Sequence, residues 1–419
     1  MNLPVSTDVL VVGAGPAGAS AAAWAARWGL ETVIADAAAF PRDKTCGDGL
    51  TPRAIAELSL LGLEPWVREH TVNRGLRAAG FGQELLLPWP DASLPNYGSA
   101  VPRTELDAHI RDVALAAGAV ALDEARAVDV ERDTNGHVTA VLFQVGRAKA
   151  PHRVACSRLV VADGVRSRLG GLLGREWHRE TVYGVAGRSY VKSGRSDDPW
   201  ISSHLELRGE DGDLLPGYGW IFPLGDSGPN GGEINLGVGA LATAKRPANL
   251  QIRPLMEYYA SLRQSDWDLS GELRLPTSAL LPMGGAVSGV AGPNWILVGD
   301  AAACVNPLNG EGIDYGLETG RLGAELLRLG DDPSTAWPAT LREHYGDAFS
   351  IARRLAGLLT VPRFLPAAGP IGMRSHSLMT IALRVMGNLV TPEDTDATAR
   401  LWRWAGRRSV ALDDRPPFS

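Results

Sequence analysis

The sequence lacks the features that mark several classes of protein. Its 419 residues include three widely separated cysteines, Cys46, Cys156 and Cys304, which give neither a disulfide framework nor the spacing of a metal site. No apolar run reaches the ~18 residues of a membrane-spanning helix, and the chain opens without the segments of a secretory signal. A formal net charge of −6 disfavours a nucleic-acid partner. These absences predict a globular protein of the reducing cytoplasm, without a metal ion.

A complete βαβ pattern begins the chain. The apolar run 9–12 has the length and β-branched content of a buried parallel strand, and it leads into the G-x-G-x-x-G turn 13–18. An alanine-rich helix then runs to about Trp28, and a second strand, 31–35, ends at Asp36. In dinucleotide-binding folds such glycines permit a tight turn, close approach of a pyrophosphate and helix packing, while the acidic residue binds a ribose. The pattern predicts dinucleotide binding rather than a glycine-rich loop without a ligand.

Buried strands that end in a small acidic turn occur twice more. One ends in Asp163-Gly164, for which a structural turn and a ligand contact are both open. The other ends in Gly299-Asp300 and leads through a glycine-rich turn to a long helix. Because both repeat the character of the opening unit, we assign them to the same nucleotide-binding domain.

Between these two strands the pattern changes to period-two alternation with turn signals. It predicts half-buried antiparallel strands at 181–191, 202–208, 217–224 and 233–241, and the segment 75–90 is expected to join them. The predicted fold is α/β with an α+β second domain, in which the antiparallel sheet is inserted into a Rossmann-type domain. The expected division is a discontinuous nucleotide-binding domain (1–75, 95–176 and 290–335), an antiparallel-sheet substrate domain (76–94 and 177–289) and a C-terminal helical region (336–419).

Two other stretches are unusual. Residues 37–52 form a longer connection than most loops in a compact domain, which is typical of functional loops. Between 348 and 392 the chain has five arginines and no acidic residue, with apolar residues at helical spacing. Two interpretations of that basic amphipathic stretch stay open: contact with an anionic membrane surface on the inner face of the cell membrane, or a helix packed on the core with a solvated basic face.

Three strand-end motifs in one chain indicate a long, bent dinucleotide. The surrounding residues resemble FAD-dependent flavoproteins, a superfamily of aromatic hydroxylases, halogenases and geranylgeranyl reductases, and the resemblance covers nearly the whole chain. It is greatest to the geranylgeranyl reductase family, on the evidence of residues 40–44 and 46–49, the YGWIFP segment at 218–223, GDAA at 299–302, Pro307 and the GEG turn at 310–312. The stretches 280–292 and 305–321 and the terminal RPPFS resemble actinobacterial members that saturate one isoprene unit of the menaquinone tail.

The resemblance implies FAD as the cofactor and indicates its binding residues. Asp36 would contact a ribose, Arg103 would lie near the pyrophosphate, and Asp300 would accept bonds from the ribityl and phosphate region. The implied backbone contacts to the pyrophosphate are Gly13, Gly15, Pro16, Ala17 and Gly18. The flavin ring would lie beside Cys46, Gly47, Asp48 and Gly49, with N–H groups offered to it from the turn of Gly310, Gly312 and Ile313.

The resemblance also implies the substrate site. Tyr218, Trp220 and Phe222 alternate along one strand and so share a face. Such a stripe is more often core, but the corresponding segment of the family lines a lipid cavity. The implied reaction adds a hydride from reduced FAD and a proton to an isolated carbon–carbon double bond. Trp220 or Tyr218 would stabilise developing positive charge, and the proton source is open between Tyr218, Cys46 and bound water. Cys46 alternatively only packs against the flavin.

The expected partners are a prenylated quinone or another isoprenoid lipid. Two other functions remain alternatives, an FAD-dependent aromatic monooxygenase and a flavin-bearing lipid-binding protein without its own turnover. Since no second nucleotide-binding βαβ unit is visible in the sequence, the electron donor is either NAD(P)H or a redox protein.

Overall fold

The computed structural model describes residues 3–227, 230–248 and 250–419. The strands are β1 Ser6–Val12, β2 Thr32–Ala35, β3 Gly49–Leu50, β4 Thr71–Asn73, β5 Gly75–Gly80, β6 Gln83–Pro88, β7 Gly98–Ala100, β8 Val120–Leu122, β9 Ala125–Arg132, β10 Val138–Val145, β11 Ala150–Val161, β12 Glu176–Trp177, β13 Tyr183–Ser193, β14 Ile201–His204, β15 Gly217–Pro223, β16 Glu233–Ala242, β17 Leu269–Pro282, β18 Val287–Ser288, β19 Ala291–Gly292 and β20 Trp295–Leu297. The helices are α1 Pro16–Arg27, α2 Pro52–Leu60, α3 Glu64–Val67, α4 Arg103–Ala116, α5 Arg168–Leu172, α6 Ile252–Arg263, α7 Ile313–Arg328, α8 Pro333–Leu341, α9 Asp347–Leu359, α10 Phe364–Met373, α11 His376–Met386 and α12 Ala397–Val410.

The first sheet has the order β19-β20-β11-β1-β2-β8. Its centre is parallel, with β1 between β11 and β2, as expected for strands that are apolar on both faces. The first half of β11 instead pairs antiparallel with β10, which carries β9 at its other edge. The three strand-end motifs of the sequence therefore end neighbouring strands β1, β11 and β20 of one sheet.

Small residues let α1 and α7 pack closely and bring their first turns together. A side-chain carbon added to Gly320 would lie 2.3 Å from the Ala17 carbonyl oxygen, and Gly316 lies against the same residue. The Ser20 hydroxyl donates to the carbonyl of Leu317 at 2.8 Å. Since a helix N-terminus carries unpaired N–H groups and partial positive charge, both helices direct these groups to one edge of the sheet.

The second sheet has the order β17-β13-β16-β15-β14-β5-β6. The prediction that the segment 75–90 joins it is confirmed, because β5 pairs with β14 and β6 pairs with β5. The prediction of half-buried strands is wrong for β16, which is buried on both faces: α6 covers one face and the loop before β3 meets the other. The strand predicted at 202–208 ends earlier, at His204, and the edge strand β17 was not singled out.

The last helices close over the second sheet. Helices α10 and α11 lie against β5 and β6, where Phe81 packs on Gly369 and Met373 joins the small apolar core around Leu87. In the three described ranges of the chain, no helix is both long enough and apolar enough to cross a bilayer.

The surface of these helices is less basic than the sequence suggests. Arg354 pairs with Asp413 at 2.7 Å, Arg384 pairs with Asp396 at 2.8 Å, and Arg353 donates to a backbone carbonyl 2.6 Å away. Both acidic partners lie outside the stretch 348–392, so the local charge pattern did not reveal them. Two of the five arginines are therefore paired with acidic side chains, and both interpretations of the stretch, membrane contact or a solvated basic face, stay predictions.

Candidate cofactor and substrate site

One continuous cavity of about 500 Å³ joins the two sheets and the C-terminal helices. Pro16 and Ile313, in the first turns of α1 and α7, line one end of it. The loop before β3 and the aromatic face of β15 line the middle, and Phe364 of α10 and Met379 of α11 line the far end. Every residue that the sequence indicated for the flavin ring and the substrate, apart from Asp48, therefore borders the same space.

The glycines of the first turn differ in what they allow. Gly13 has a φ of +104°, and a carbon added to it would lie 2.2 Å from the Ala162 carbonyl oxygen. A carbon added to Gly18 would lie 1.8 Å from the carbonyl oxygen of Gly13, so these two positions exclude a side chain. At Gly15 the nearest atom to such a carbon is a guanidinium nitrogen of Arg42, 3.5 Å away. Gly13 and Gly18 shape the turn, whereas Gly15 leaves open space.

A charged cluster borders that open space. Arg103 donates to both carboxylate oxygens of Asp107 at 2.6 and 2.7 Å, and Arg42 donates to the same carboxylate at 2.9 Å. Two guanidinium groups therefore lie beside Gly15, and their N–H donors suit the oxygens of a pyrophosphate. The sequence indicated Arg103 but neither Arg42 nor Asp107, which come together from separate segments.

Asp36 lies at the end of β2, where a ribose contact is predicted, and is already bonded to the protein. Its carboxylate accepts the N–H groups of Ala14 at 2.8 Å and Ala38 at 2.9 Å, and Arg42 approaches it to 3.4 Å. Asp36 therefore fixes the glycine-rich turn to the end of β2. The ribose contact itself stays a prediction.

The first turn of α7 faces the same space as the first turn of α1. Gly312 precedes α7 without a capping side-chain bond, so the first N–H groups of the helix are available to a ligand. Asp300 lies beside it: a carbon added to Gly312 would be 3.1 Å from the Asp300 carboxylate, which pairs with Lys44 at 3.6 Å. Gly310 lines the cavity next to them.

The remaining strand-end acid, Asp163, has a structural role. It accepts the Ser167 hydroxyl at 2.6 Å and the Leu169 N–H at 2.9 Å, and so caps the short helix α5. Of the two alternatives left open for this turn, the geometry favours the structural one for Asp163, while Gly164 borders the cavity near Lys44.

The loop before β3 carries two buried groups whose pKa values are raised by burial. The Cys46 sulfur accepts the Asp48 N–H at 3.4 Å, and burial raises the pKa of the thiol against the opposing charge of Arg103. Burial raises the pKa of Asp48 to about 6, against hydrogen bonds from Tyr190 at 2.7 Å and Asn235 at 2.8 Å. A thiol that keeps its proton is a weak nucleophile, so packing suits Cys46 better than covalent chemistry.

Tyr218, Trp220 and Phe222 share one face of β15 and line the cavity. The centroids of neighbouring rings are 5.9 Å and 6.3 Å apart. Phe222 packs on the bare backbone of the loop, because a carbon added to Gly47 or Gly49 would lie 3.1 Å or 2.9 Å from its ring. On this side of the loop, Gly47 and Gly49 therefore leave room for the ring of Phe222, a side chain of the second sheet.

Two hydrogen bonds fix the aromatic face. The Tyr218 hydroxyl donates to the carbonyl of Asn309, and burial raises the pKa of the phenol. The Trp220 indole donates to the Asn235 side-chain oxygen at 2.9 Å, and the Asn235 amide nitrogen donates to the carbonyl of Cys46 at 2.9 Å. Asn235 therefore ties the aromatic wall to the loop.

Sequence reasoning missed Asn235, Thr51 and Glu311. The one signal for Asn235 is that it is the single amide side chain in the otherwise mainly apolar strand EINLGVGALA. Glu311 lies between two glycines that were selected, and it lines the cavity, where the Thr51 hydroxyl donates to its carboxyl group. An acidic residue inside a glycine-rich helix start was the signal that could have found it.

The residues fit a flavin dinucleotide. The N-termini of α1 and α7 and two guanidinium groups border the open space in front of Gly15. A side chain at position 15 would begin to fill that space. Beyond it the cavity continues between the loop before β3 and the turn before α7, as a flat ring requires.

Comparisons with known proteins give the same cofactor. A sequence family described as "FAD binding domain" matches residues 6–212. The menaquinone reductase of Mycolicibacterium smegmatis is 62% identical over 414 residues, which cover 98% of this chain and 99% of that protein. The menaquinone reductase of Mycobacterium tuberculosis is 60% identical over 419 residues, which cover 100% of both. 

Two solved structures share the fold. A geranylgeranyl bacteriochlorophyll reductase-like protein from Thermoplasma acidophilum has a TM-score of 0.73 at 20% identity, covering 98% of this chain and 97% of that one. A flavin-dependent brominase has a TM-score of 0.70 at 18% identity, covering 98% of this chain and 100% of that one. The fold is therefore that of the aromatic-hydroxylase-like FAD-binding proteins.

Proposed function

This chain belongs to the geranylgeranyl reductase family of FAD-dependent oxidoreductases, and we propose that it saturates one isoprene unit of the menaquinone tail. It is a flavin-dependent reductase of isoprenoid chains; the particular lipid is the proposal. The observation that carries it is the continuity of the cavity, which joins the cofactor end to an aromatic wall and then to apolar helices. A long isoprenoid chain could lie along that path with one double bond near the flavin ring.

We divide the binding of cofactor and substrate between the two sheets. We assign Gly13, Gly15, Pro16, Ala17, Gly18, Asp36, Arg103 and Asp300 to the dinucleotide, and the turn before α7 with the loop before β3 to the ring. With this assignment, the domain of the first sheet binds the cofactor and the domain of the second sheet binds the substrate. The C-terminal helices α10 and α11 complete the substrate side.

When bound and reduced, FAD supplies a hydride equivalent for the alkene. The chain's own residues have to hold the double bond, exclude water and stabilise charge. Protonation of a trisubstituted alkene develops positive charge on its methyl-bearing carbon, and the ring faces of Trp220 and Tyr218 can stabilise that charge. The apolar walls exclude water, which would otherwise trap the cation as an alcohol.

Product mass tests the proposal against the alternatives. Purified enzyme with its flavin reduced under nitrogen is mixed with menaquinone, and the lipid is then analysed by mass spectrometry. A gain of two hydrogens that persists after air has returned any quinol to the quinone supports reduction of the tail, whereas a gain of one oxygen in air would support the monooxygenase. Flavin that stays reduced when the lipid is added would support a lipid-binding protein without turnover. Reduction of another prenyl lipid, but not of menaquinone, would retain the chemistry and reject the substrate.

We also propose that the mouth of the cavity meets a membrane surface. Phe364 borders the cavity, and nearby apolar side chains of α10 and α11 are exposed, with Ile371 67% and Leu378 50% accessible. A substrate that resides in a bilayer can enter such a mouth without crossing water. The protein would then lie peripherally on the inner face of the cell membrane and take electrons from NAD(P)H or a redox protein.

A further inference from the structure

The proton required by this reaction has few possible sources in the described part of the cavity. Arginines hold their protons too firmly to transfer them, and the Asp300 carboxylate and Lys44 are paired with each other. The groups that remain are Cys46, Tyr218 and Glu311. The Tyr218 proton is committed to the carbonyl of Asn309, and the Cys46 sulfur accepts a backbone N–H.

Glu311 is the remaining acid, and its surroundings suit proton transfer. The Thr51 hydroxyl donates to one carboxyl oxygen, and the Asn309 amide nitrogen lies 3.3 Å from the other. The positive charge of Arg53, in α2, acts on the same carboxyl group. These three groups stabilise the carboxylate that forms when the proton leaves.

The same surroundings keep Glu311 protonated until then. Burial raises the pKa of Glu311 well above its usual value, and the neighbouring carboxyl of Asp314, in the first turn of α7, raises it further. The bonds from Thr51 and Asn309 and the charge of Arg53 oppose this shift without cancelling it. Burial and the Asp314 carboxyl therefore favour the protonated form of Glu311, which lines the cavity with Tyr218 and Trp220.

We propose that Glu311 is the general acid that protonates the alkene, an inference that rests on the proposed reductase function. Its carboxyl O–H bond breaks and a C–H bond forms at the hydrogen-bearing carbon of the double bond. The methyl-bearing carbon then takes the hydride equivalent from reduced FAD, which is left oxidised. Glu311 becomes a carboxylate, close to the cationic carbon and able to stabilise it, and regains a proton from solvent between turnovers. The balance is one alkene, one hydride and one proton to one saturated unit.

Glu311→Gln tests this assignment, because the amide keeps the shape and removes the proton. With the flavin reduced under nitrogen, we expect the formation of tail-saturated menaquinone to slow by about 100-fold or more. Flavin content, quenching of tryptophan fluorescence by the lipid, and reoxidation by dioxygen should stay at wild-type values. Glu311→Asp, which keeps a carboxyl group, should be faster than Glu311→Gln. An unchanged rate with menaquinone in Glu311→Gln, or an equal slowing with dioxygen, would overturn the assignment.

Glu57→Gln is the matched control, since it makes the same change at a buried carboxyl that pairs with Arg321 and does not line the cavity. Its rate with menaquinone should remain within a few-fold of the wild type, and a loss equal to that of Glu311→Gln would also overturn the proposal. If Glu311→Gln fails to retain FAD, Glu311→Asp decides, because its shorter side chain must slow the alkene step more than the oxygen reaction. If the wild type itself does not reduce the lipid, the proposed function fails; if it does and Glu311→Gln matches it, only this inference fails.

Discussion

At the α1 end of the cavity the wall is mainly backbone, whereas at the α10 end it is apolar side chain. The first end is fixed by contacts that admit no added atom, such as that of Gly18 with Gly13, and by the charged cluster of Arg42, Arg103 and Asp107. The second end is lined by apolar side chains such as Phe364, Met373 and Met379, and Ile371 of the same helix α10 is exposed. A rigid polar site suits one invariant cofactor, while an apolar wall accepts a chain that can slide.

The largest effect is expected where the backbone wall is filled. Gly18→Val should abolish FAD binding and destabilise the fold by about 4 kcal/mol or more, because its side chain would overlap the Gly13 carbonyl. Flavin absorbance of the purified protein and its thermal unfolding measure the two effects. Gly29→Ala, in the same βαβ unit, is the control: nothing lies within 4 Å, and its φ of +80° should cost only about 1 kcal/mol. Retention of flavin by the Gly18→Val variant would contradict the conclusion that the α1 end of the cavity admits no added side chain at this position.

A smaller effect is expected at the junction of the two ends. Trp220→Ala should keep FAD and slow alkene reduction by roughly 30-fold, the equivalent of a cation–π contribution of about 2 kcal/mol in a desolvated site. Trp220→Phe keeps an aromatic face and loses the bond to Asn235, so it should be slowed less. Single-turnover formation of tail-saturated menaquinone by the reduced enzyme measures both. Turnover unchanged in Trp220→Ala would remove this ring from the site.

The smallest effect is expected at the exposed end. Ile371→Glu should weaken binding to anionic lipid vesicles by about tenfold, because it replaces an exposed apolar anchor by a charge. Turnover of a short, detergent-dispersed quinone should not change. Leu172→Glu, an equally apolar exposed site on α5, should leave vesicle binding intact. Equal loss in both variants, by co-sedimentation, would indicate a general charge effect and no membrane-binding face.

The two ends also differ in how far the sequence predicts them. The backbone end follows from local spacing, since Gly13, Gly18 and Asp36 belong to one βαβ unit whose geometry is general. The bond of Arg42 to Asp107 and the bond of Thr51 to Glu311 join residues far apart in the chain, which no local pattern relates. The ion pairs of Arg354 with Asp413 and of Arg384 with Asp396 also join separate segments, so the local charge pattern did not show them.

Asn235 has a consequence for any attempt to redesign this protein for other chains. Widening the channel by removing Trp220 would leave the Asn235 oxygen without its donor, in a site that water does not reach. The same amide holds the carbonyl of Cys46 and the carboxyl of Asp48, so its reorientation would disturb the flavin side. Substrate range and the stability of the loop before β3 would therefore change together, and a successful redesign would have to replace Trp220 and Asn235 as a pair.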